Sequence, residues 1–135
     1  MEFFEALAQE RQIKLDLNGD GAIVGDRLMV QRAIANLLSN AIRYTPPGNT
    51  IQIGIAERLP RGAQLNVSNP GPVIPPEHLP RLFDRFYRVD PARENSSESS
   101  GLGLAIVKSI MSLHGGHAAV FSEGNMTRFT LQFFR

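Results

Sequence analysis

The sequence predicts an α+β fold, a two-layer α/β sandwich in which helices cover one face of a mixed, largely antiparallel sheet. Strand-like and helix-like segments arrive in groups rather than in strict alternation. The joints between the last strands are too short for helical crossovers, which favours antiparallel pairing. The chain has 135 residues, 42% hydrophobic and 20% charged. We therefore expect residues 1–135 to form one domain with a core of its own.

The first half of the chain predicts a short helix, a strand and a long helix. Residues 1–11 have a helical pattern, and we interpret them as the end of a connection from a preceding domain. Ile13–Leu17 alternates like a strand, and residues 18–21 have strong turn chemistry (Asn-Gly-Asp-Gly). Asp26 is the expected N-cap of a long helix that ends near Tyr44, before a Pro-Pro-Gly stop.

The second half contains mostly strands. Residues 70–80 are too rich in proline for a regular element, although Pro76 can start a short helical turn. Residues 90–100 are polar and have few apolar anchors, so we expect a mobile loop. A helix is predicted from Gly101 to near His114. Strands are predicted at 51–55, 64–68, 118–121 and 129–133, with turns at 59–62 and 124–125.

Composition excludes several classes of function. A formal net charge of +1 gives no reason to expect nucleic acid or an anionic membrane as a partner. There are no cysteines, which excludes disulfides and thiolate metal sites. No apolar run is long enough for a transmembrane helix and no signal peptide is visible, so we expect a cytoplasmic location.

Asn36, Asn40 and Arg43 form a polar row on the predicted long helix. Their i, i+4, i+7 spacing places them on one face. Neutral oxygen ligands beside a fixed cation suit a divalent metal that carries a polyphosphate, because Mg²⁺ prefers oxygen ligands and shares them with phosphates. A solvated helix face is the simpler alternative. The opposite, apolar stripe consists of Leu37, Leu38, Ala41 and Ile42.

A glycine-rich segment, Ser100–Leu104, precedes the apolar helical run that continues to Ile110. Glycines at this place let backbone N–H groups approach an anion at the positive end of a helix. Alone, such a segment is weak evidence, because glycines before helices are often only turns.

Three further segments of the chain, Asn69–Pro75, Phe83–Arg88 and Thr127–Phe129, complete a set of five motifs with the polar row and the glycine-rich segment. Together the five resemble the motifs of the histidine-kinase catalytic domain, in the GHKL (Bergerat-fold) ATP-binding superfamily, from about Asp26 to Phe133. The run Pro76–Pro91 looks most like sensor kinases that respond to copper, silver and other heavy metals. The segments are similar to the N box (Asn36–Pro46), the first glycine box (Asn69–Pro75), the F box (Phe83–Arg88), the second glycine box (Ser100–Leu104) and the third box (Thr127–Phe129).

The resemblance implies a site for ATP and Mg²⁺. Asn40 is the expected ligand of Mg²⁺, with Asn36 as a second candidate, and Arg43 supplies positive charge to phosphate. These three residues position the nucleotide, and no residue of the chain is assigned as acid, base or nucleophile. The residues expected to bind the nucleotide are Asn36, Asn40, Arg43, Tyr44, Asn69, Gly71, Val73, Phe83, Arg88, Gly101, Leu102, Gly103, Leu104 and Thr127.

Some of these residues have an equally ordinary alternative role. Tyr44 is expected beside the nucleotide or in the core. Phe83 borders the mobile lid in the family, but a place among core aromatics is about as good an interpretation. Arg88 can reach phosphate, a partner domain or only solvent. Because no carboxylate or Glu-x-x-His spacing accompanies them, no metal or acid–base role is assigned to His78, His114 and His117.

The first glycine box departs from the family pattern at two positions. Asn69 stands where the family usually has Asp, whose carboxylate accepts from the adenine amine. An Asn carbonyl can accept the same hydrogen while its NH₂ donates to the adjacent ring nitrogen. Pro72 replaces the second glycine and stiffens the backbone. The alternative is a damaged pocket that no longer binds nucleotide.

The resemblance also implies the reaction. ATPase branches of the superfamily carry Glu, as general base, where this chain has neutral Asn36. The chain has no phosphoacceptor signature, so we expect transfer of the γ-phosphoryl group to a histidine on a separate domain. A nucleotide-binding regulatory module without phosphotransfer and a GHKL ATPase remain as alternatives. Nucleotide binding without transfer to a supplied dimerisation domain would select the regulatory module. Steady phosphate release by the isolated domain would select the ATPase.

The expected partners are the dimerisation and phosphoacceptor domain of the same kinase and a downstream response regulator. Neither nucleic acid nor direct membrane contact is expected, and the isolated domain should be monomeric. The resemblance places this domain in the cytoplasm and the parent protein in the bacterial inner membrane. It also implies that residues 90–100 are the ATP lid, mobile without nucleotide and partly ordered with it.

Overall fold

Helices and strands of the described residues form two layers. The computed structural model describes residues 2–20, 25–57, 62–71, 73–85 and 103–134. In chain order, the elements are α1 (Glu2–Glu10), β1 (Lys14–Asp20), α2 (Arg27–Tyr44), β2 (Thr50–Glu57), β3 (Ala63–Pro70), a 3₁₀ turn (Leu79–Arg81), α3 (Gly103–Leu113), β4 (His117–Glu123) and β5 (Met126–Phe133).

The five described strands form one sheet in the order β1-β2-β3-β5-β4. Only the β1–β2 pair is parallel, and α2 provides the crossover that such a pair requires. The other three pairings are antiparallel. Alternate residues of each strand face the helices and form the core, among them Ile51, Val67, Phe129 and Leu131. The predicted α+β sandwich with a mixed, largely antiparallel sheet is confirmed.

Local signals explain the limits of α2. The Asp26 carboxylate accepts a hydrogen bond from the Met29 N–H at 3.0 Å and caps the first turn. At the other end, the buried Thr45 hydroxyl donates to the Ala41 carbonyl at 2.6 Å, and two prolines follow. One face of the helix is buried, through Val30, Ala33, Leu37, Leu38, Ala41 and Ile42. Both predicted limits of this helix are confirmed.

The predicted turn at residues 18–20 is wrong, because β1 continues to Asp20. Gly19 has a φ of +87° and lies against the Ile55 backbone, where a Cβ would overlap the Ile55 carbonyl oxygen. Glycine therefore keeps this strand paired where another residue would clash. The turn after Pro76 is confirmed, since residues 76–78 form a turn that leads into the 3₁₀ turn.

Several predictions fall on residues outside the described ranges. These are Gly21, Pro72, Arg88, Gly101, Leu102, most of the turn at 59–62 and the loop at 90–100. Within the described ranges, no helix is both long enough and apolar enough to span a membrane.

Candidate functional site

Asn36, Asn40 and Arg43 lie together on α2, as their spacing predicts. All three are half-buried, on the side of the helix away from its apolar stripe. The Arg43 Nη2 donates to the Asn40 Oδ1 at 3.4 Å, which is long for a hydrogen bond. An oxygen that accepts such a weak bond can exchange its partner for a metal ion at low cost.

The first residue of α3 lies against this row. Asn36 Nδ2 donates to the Gly103 carbonyl oxygen at 3.3 Å, so the second glycine box contacts the N box. A Cβ at Gly103 would meet no described atom within 4 Å, which leaves the backbone of this residue accessible. The N–H groups of the first turn of α3 have no partners within the helix and are suited to an anion. We call Asn36, Asn40, Arg43 and Gly103 the helix cluster.

Leu104, the next residue of the glycine box, has a structural role in the described contacts. It is half-buried and packs against the hydrophobic core. This anchors the first turn of α3 and fixes the direction of its free N–H groups.

Tyr44 ends α2 and is exposed at 43% of its surface, so its interpretation as a core tyrosine is wrong. The Arg43 guanidinium carbon lies 5.0 Å from the centre of the Tyr44 ring, within range of a cation–π interaction. The partly exposed ring therefore lies beside the Arg43 guanidinium at the end of α2.

Asn69 and Thr127 are directly opposite one another on β3 and β5. Each is exposed at only 5% of its surface and faces the helix layer. The Asn69 Nδ2 donates to the Pro70 carbonyl at 3.3 Å. Both side chains have hydrogen-bond partners in the structure, Asn69 with Pro70 and Thr127 with Ser122, as buried polar groups require.

Ser122 is a member of this group that the sequence did not reveal. Its Oγ accepts from the Ile74 N–H at 2.9 Å and shares a hydrogen bond with the Thr127 Oγ1 at 2.9 Å. It thereby ties the first glycine box to β4 and orients the Thr127 hydroxyl. The sequence feature that could have indicated Ser122 is its polarity, because it faces inward on a strand whose other inward-facing residues are Ala118 and Val120. Recognising it required the β4–β5 register.

Gly71 follows β3 and lies close to the end of α2. Its φ of +153° is unfavourable for other residues, and its N–H donates to the Asn125 carbonyl at 2.9 Å. A Cβ here would lie 3.2 Å from the Tyr44 carbonyl oxygen. We call Asn69, Gly71, Ser122 and Thr127 the strand cluster. The end of α2 contacts the strand cluster, and Asn36, about 12 Å away along the helix, contacts Gly103.

Phe83 and Val73 are at the edge of this arrangement. The Phe83 ring packs edge-to-face on Phe129 with ring centres 6.0 Å apart, as a core aromatic would. Val73 is exposed at 39% of its surface. Contact of these two residues with a nucleotide stays a prediction. Phe83 also lines a shallow apolar groove of about 410 Å³ with Pro76, Leu79, Pro80, Ala118, Ala119 and Val120.

A metal ion at this site would depend on neutral oxygen ligands. The described residues contain no group of three or more histidine or acidic side chains that could hold a metal. Mg²⁺ is commonly bound by only one or two protein ligands, with phosphate oxygens and water completing the octahedron. The Asn40 and Asn36 carboxamides fit that donor set, provided that a polyphosphate offsets the adjacent Arg43 charge.

Comparison with known proteins shows the family to which the chain belongs. The family described as "Histidine kinase-, DNA gyrase B-, and HSP90-like ATPase" matches residues 25–135. The sensor histidine kinase CusS of Escherichia coli (strain K12) is 54% identical over 131 residues, 96% of this chain and 27% of CusS. The probable sensor kinase SilS of Salmonella typhimurium is 52% identical over 132 residues, 96% of this chain and 26% of SilS. The chain thus spans about a quarter of these relatives.

Solved structures agree in fold. The mycobacterial sensor histidine kinase MprB superposes with a TM-score of 0.85 at 29% identity, covering 98% of this chain and 91% of the MprB chain. The catalytic domain of the histidine kinase ThkA gives a TM-score of 0.84 at 25% identity, covering 98% of this chain and 86% of that chain. The resemblance inferred from the five motifs, including the likeness to the metal-responsive group of sensor kinases, is confirmed.

Proposed function

The chain belongs to the histidine kinase-, DNA gyrase B- and HSP90-like ATPase family and is a catalytic domain of the sensor histidine kinase type, and from this premise we propose its reaction. It binds ATP with Mg²⁺ and donates the γ-phosphoryl group to a histidine on a separate dimerisation domain. The observation that carries the proposal is the meeting of the neutral row Asn36, Asn40 and Arg43 with Gly103 at the start of α3.

The strand cluster takes the adenine base. Asn69 and Thr127 are buried side by side on neighbouring strands, so both can present hydrogen-bonding atoms to one edge of a planar ring. The Asn69 carbonyl would accept from the exocyclic amine and its NH₂ would donate to the adjacent ring nitrogen. Ser122 holds the Thr127 hydroxyl for this contact. The departure from Asp to Asn therefore supports recognition and does not require a damaged pocket.

The helix cluster takes the phosphates and the metal ion. Asn40 would ligate Mg²⁺ through its carboxamide oxygen, with Asn36 as a further ligand, and Arg43 would hold phosphate oxygens through its planar fork. The free N–H groups of α3 add a partial positive charge on the same side. When bound, Mg²⁺ neutralises the charge that develops on the phosphate oxygens during transfer.

Phosphotransfer rather than hydrolysis follows from the identity of residue 36. A carboxylate at this position could accept a proton from water, whereas the neutral Asn36 carboxamide cannot. Asn36 is also engaged in holding Gly103. During transfer, the bond between the γ-phosphorus and the ADP oxygen breaks and a bond to a histidine nitrogen forms. The contribution of this chain is positioning and charge neutralisation.

The wider setting is proposed from the relatives. The acceptor histidine belongs to a dimerisation domain that residues 1–11 would connect to this one, and a response regulator receives the phosphoryl group afterwards. Residues 90–100 act as the ATP lid. The parent protein lies in the bacterial inner membrane with this domain, monomeric in isolation, in the cytoplasm. Its signal is a heavy metal sensed outside this domain.

The test combines this domain with ATP labelled at the γ-phosphate, Mg²⁺ and the dimerisation domain of the same kinase. Acid-labile, base-stable label on that domain supports the proposal, and replacing its acceptor histidine provides the control. Nucleotide binding without transfer would select a regulatory module. Steady phosphate release by the isolated domain would select an ATPase.

A further inference from the structure

His114 directly joins the end of α3 to the beginning of α2. Its Nε2 lies 2.9 Å from the Asp26 backbone nitrogen and its Nδ1 lies 2.8 Å from the Ile110 carbonyl oxygen. Nε2 faces a donor and must accept, while Nδ1 faces an acceptor and must donate. Both bonds are satisfied only by a neutral imidazole that carries its hydrogen on Nδ1.

The ring is held in this orientation by close packing. A Cβ at Gly25 would lie 2.5 Å from the His114 Cδ2 and 2.8 Å from its Nε2, so no side chain fits between them. On its other side, the ring packs edge-to-face with Phe133, with centres 6.4 Å apart. The half-buried imidazole is therefore constrained by its two hydrogen bonds and by packing from two other segments of the chain.

The two helices consequently have one tie at each end of their contact. His114 follows α3 and contacts the N-cap of α2, while Gly103 begins α3 and contacts Asn36 in the middle of α2. The helices are thus antiparallel, and the ties are separated by about 15 Å along α3. Between the ties, Val107, Ile110 and Met111 of α3 are buried in the core, and the His114 tie adds a directed hydrogen bond at one end of this packing.

We propose that His114 is a positioning residue that sets the register of α3 on α2 and thereby aligns the glycine box with the Asn36 and Asn40 side chains. This role of His114 rests on the proposed function, in which the helix cluster binds the nucleotide phosphates. His114 contacts no reacting atom in this scheme. Its contribution is a single acceptor placed at the right distance from the Asp26 N–H.

Two carboxamide variants separate the two bonds of the ring. In His114→Gln, the Oε1 is four bonds from Cα, as is the Nε2 of histidine, and can still accept from Asp26. In His114→Asn, the carboxamide can donate to Ile110 but is too short to reach Asp26. Both variants keep a polar side chain, and only the Gln variant keeps an acceptor within reach of the Asp26 N–H. Gly25→Ala disturbs the same tie from the opposite side, because its methyl group displaces the ring.

Titration with a fluorescent ATP analogue and Mg²⁺, at a temperature where each variant is folded, measures the effect. Binding can weaken by no more than the free energy of the lost hydrogen bond, so we expect affinity to fall by up to about fivefold for His114→Asn and Gly25→Ala, and to stay within about twofold of the parent for His114→Gln. The double variant His114→Asn, Gly25→Ala should be no weaker than either single variant, because both remove the same bond. Equal affinity of the Gln and Asn variants would overturn the proposal.

A measurement without nucleotide separates this proposal from the proposed function. The Asn36 Nδ2 donates to the Gly103 carbonyl oxygen, so the ¹H–¹⁵N resonances of the Asn36 carboxamide should shift in the Asn variant and stay near the parent positions in the Gln variant. The ¹⁵N shifts of the His114 ring should show hydrogen on Nδ1. Failure of the parent to bind nucleotide would reject only the proposed function, whereas an Nε2–H tautomer or equal Asn36 carboxamide shifts in both variants would reject the role of His114.

Discussion

The helix cluster and the strand cluster differ in how firmly they are formed before any ligand binds. In the strand cluster, Thr127 and Ser122 share a bond of 2.9 Å, and Ser122 and Gly71 each make a further bond of 2.9 Å to backbone atoms. In the helix cluster, the Asn36 and Asn40 carboxamides take part in bonds of 3.3 and 3.4 Å, longer than a good hydrogen bond, and in the strand cluster only the Asn69 carboxamide makes so long a bond, of 3.3 Å.

Burial follows the same division only in part. Asn69 and Thr127 of the strand cluster are exposed at 5%, whereas Ser122 and Gly71, like the polar row of α2, are half-buried. A site for a planar base benefits from rigid groups, because discrimination depends on atoms that cannot move away from a wrong partner. In a site for metal and phosphate, the side chains must give up their hydrogen bonds to one another when the ions bind. In the proposed function, one domain thus combines a rigid end that recognises the base with an adaptable end that binds phosphate and metal.

The largest effect is expected at the adaptable end. Asn40→Ala removes the proposed metal ligand but leaves the apolar stripe of α2 intact, so the fold should survive. We expect Mg²⁺-dependent nucleotide affinity to fall at least about tenfold, and affinity without Mg²⁺ to change little. Titration of a fluorescent nucleotide with and without Mg²⁺ measures both. Ser39→Ala, exposed on the same helix, is the matched control. Unchanged affinity in Mg²⁺ would reject Asn40 as a ligand.

At the rigid end, Asn69→Asp should change the choice of base. Guanine presents an oxygen where adenine presents its amine, and a carboxylate facing that oxygen has no hydrogen to share. A carboxamide can turn and offer its NH₂, so the native residue penalises guanine less. An unmade buried hydrogen bond costs roughly 1–3 kcal/mol, so the variant should raise the ATP:GTP preference around tenfold.

Competition binding of ATP and GTP to both forms measures this ratio. Asn66→Asp is the control, since Asn66 lies on the same strand but faces away from the helices and bonds to Thr130 at 2.7 Å. The same ratio in the parent and in Asn69→Asp means that Asn69 does not read the base edge.

A smaller effect is expected from Thr127→Val, which keeps the shape of the side chain and removes its hydroxyl. Ser122 loses a partner and the base loses a contact, so adenine-nucleotide affinity should fall about fivefold and stability by about 1 kcal/mol. Isothermal titration and thermal unfolding measure the two losses. Thr130→Val removes a hydroxyl from the opposite face of β5 and should leave affinity unchanged. If both variants bind alike, the hydroxyl of Thr127 has no role in recognition.

The same division explains what could be predicted from the sequence. The helix row is visible because helical spacing alone brings Asn36, Asn40 and Arg43 together. The strand cluster combines residues from separated segments, and their meeting depends on strand register. The sequence alone therefore did not point to Ser122, and Asn69 and Thr127 are predicted only through family resemblance. The turn predicted at 18–20 failed for a related reason. The contact of Gly19 with Ile55, which allows the strand to continue, is not local in sequence.

The smallest effect is expected from Gly103→Ala, which should raise the stability of the fold and lower nucleotide affinity. Gly103 begins α3, and a Cβ there would meet no described atom within 4 Å, so alanine should stabilise the fold by a few tenths of a kcal/mol through helix propensity. The same methyl group would occupy the space through which the backbone approaches phosphate, and we expect nucleotide affinity to fall about threefold. Thermal unfolding and nucleotide titration of Gly103→Ala measure the opposed changes.

Gly48→Ala is the control. Its methyl group also enters open space, but the φ of +87° at residue 48 makes alanine strained, so this variant should lower stability without altering affinity. Undiminished affinity in Gly103→Ala would show that the ligand does not approach this end of α3, and the helix cluster would then lose its only contribution from outside α2.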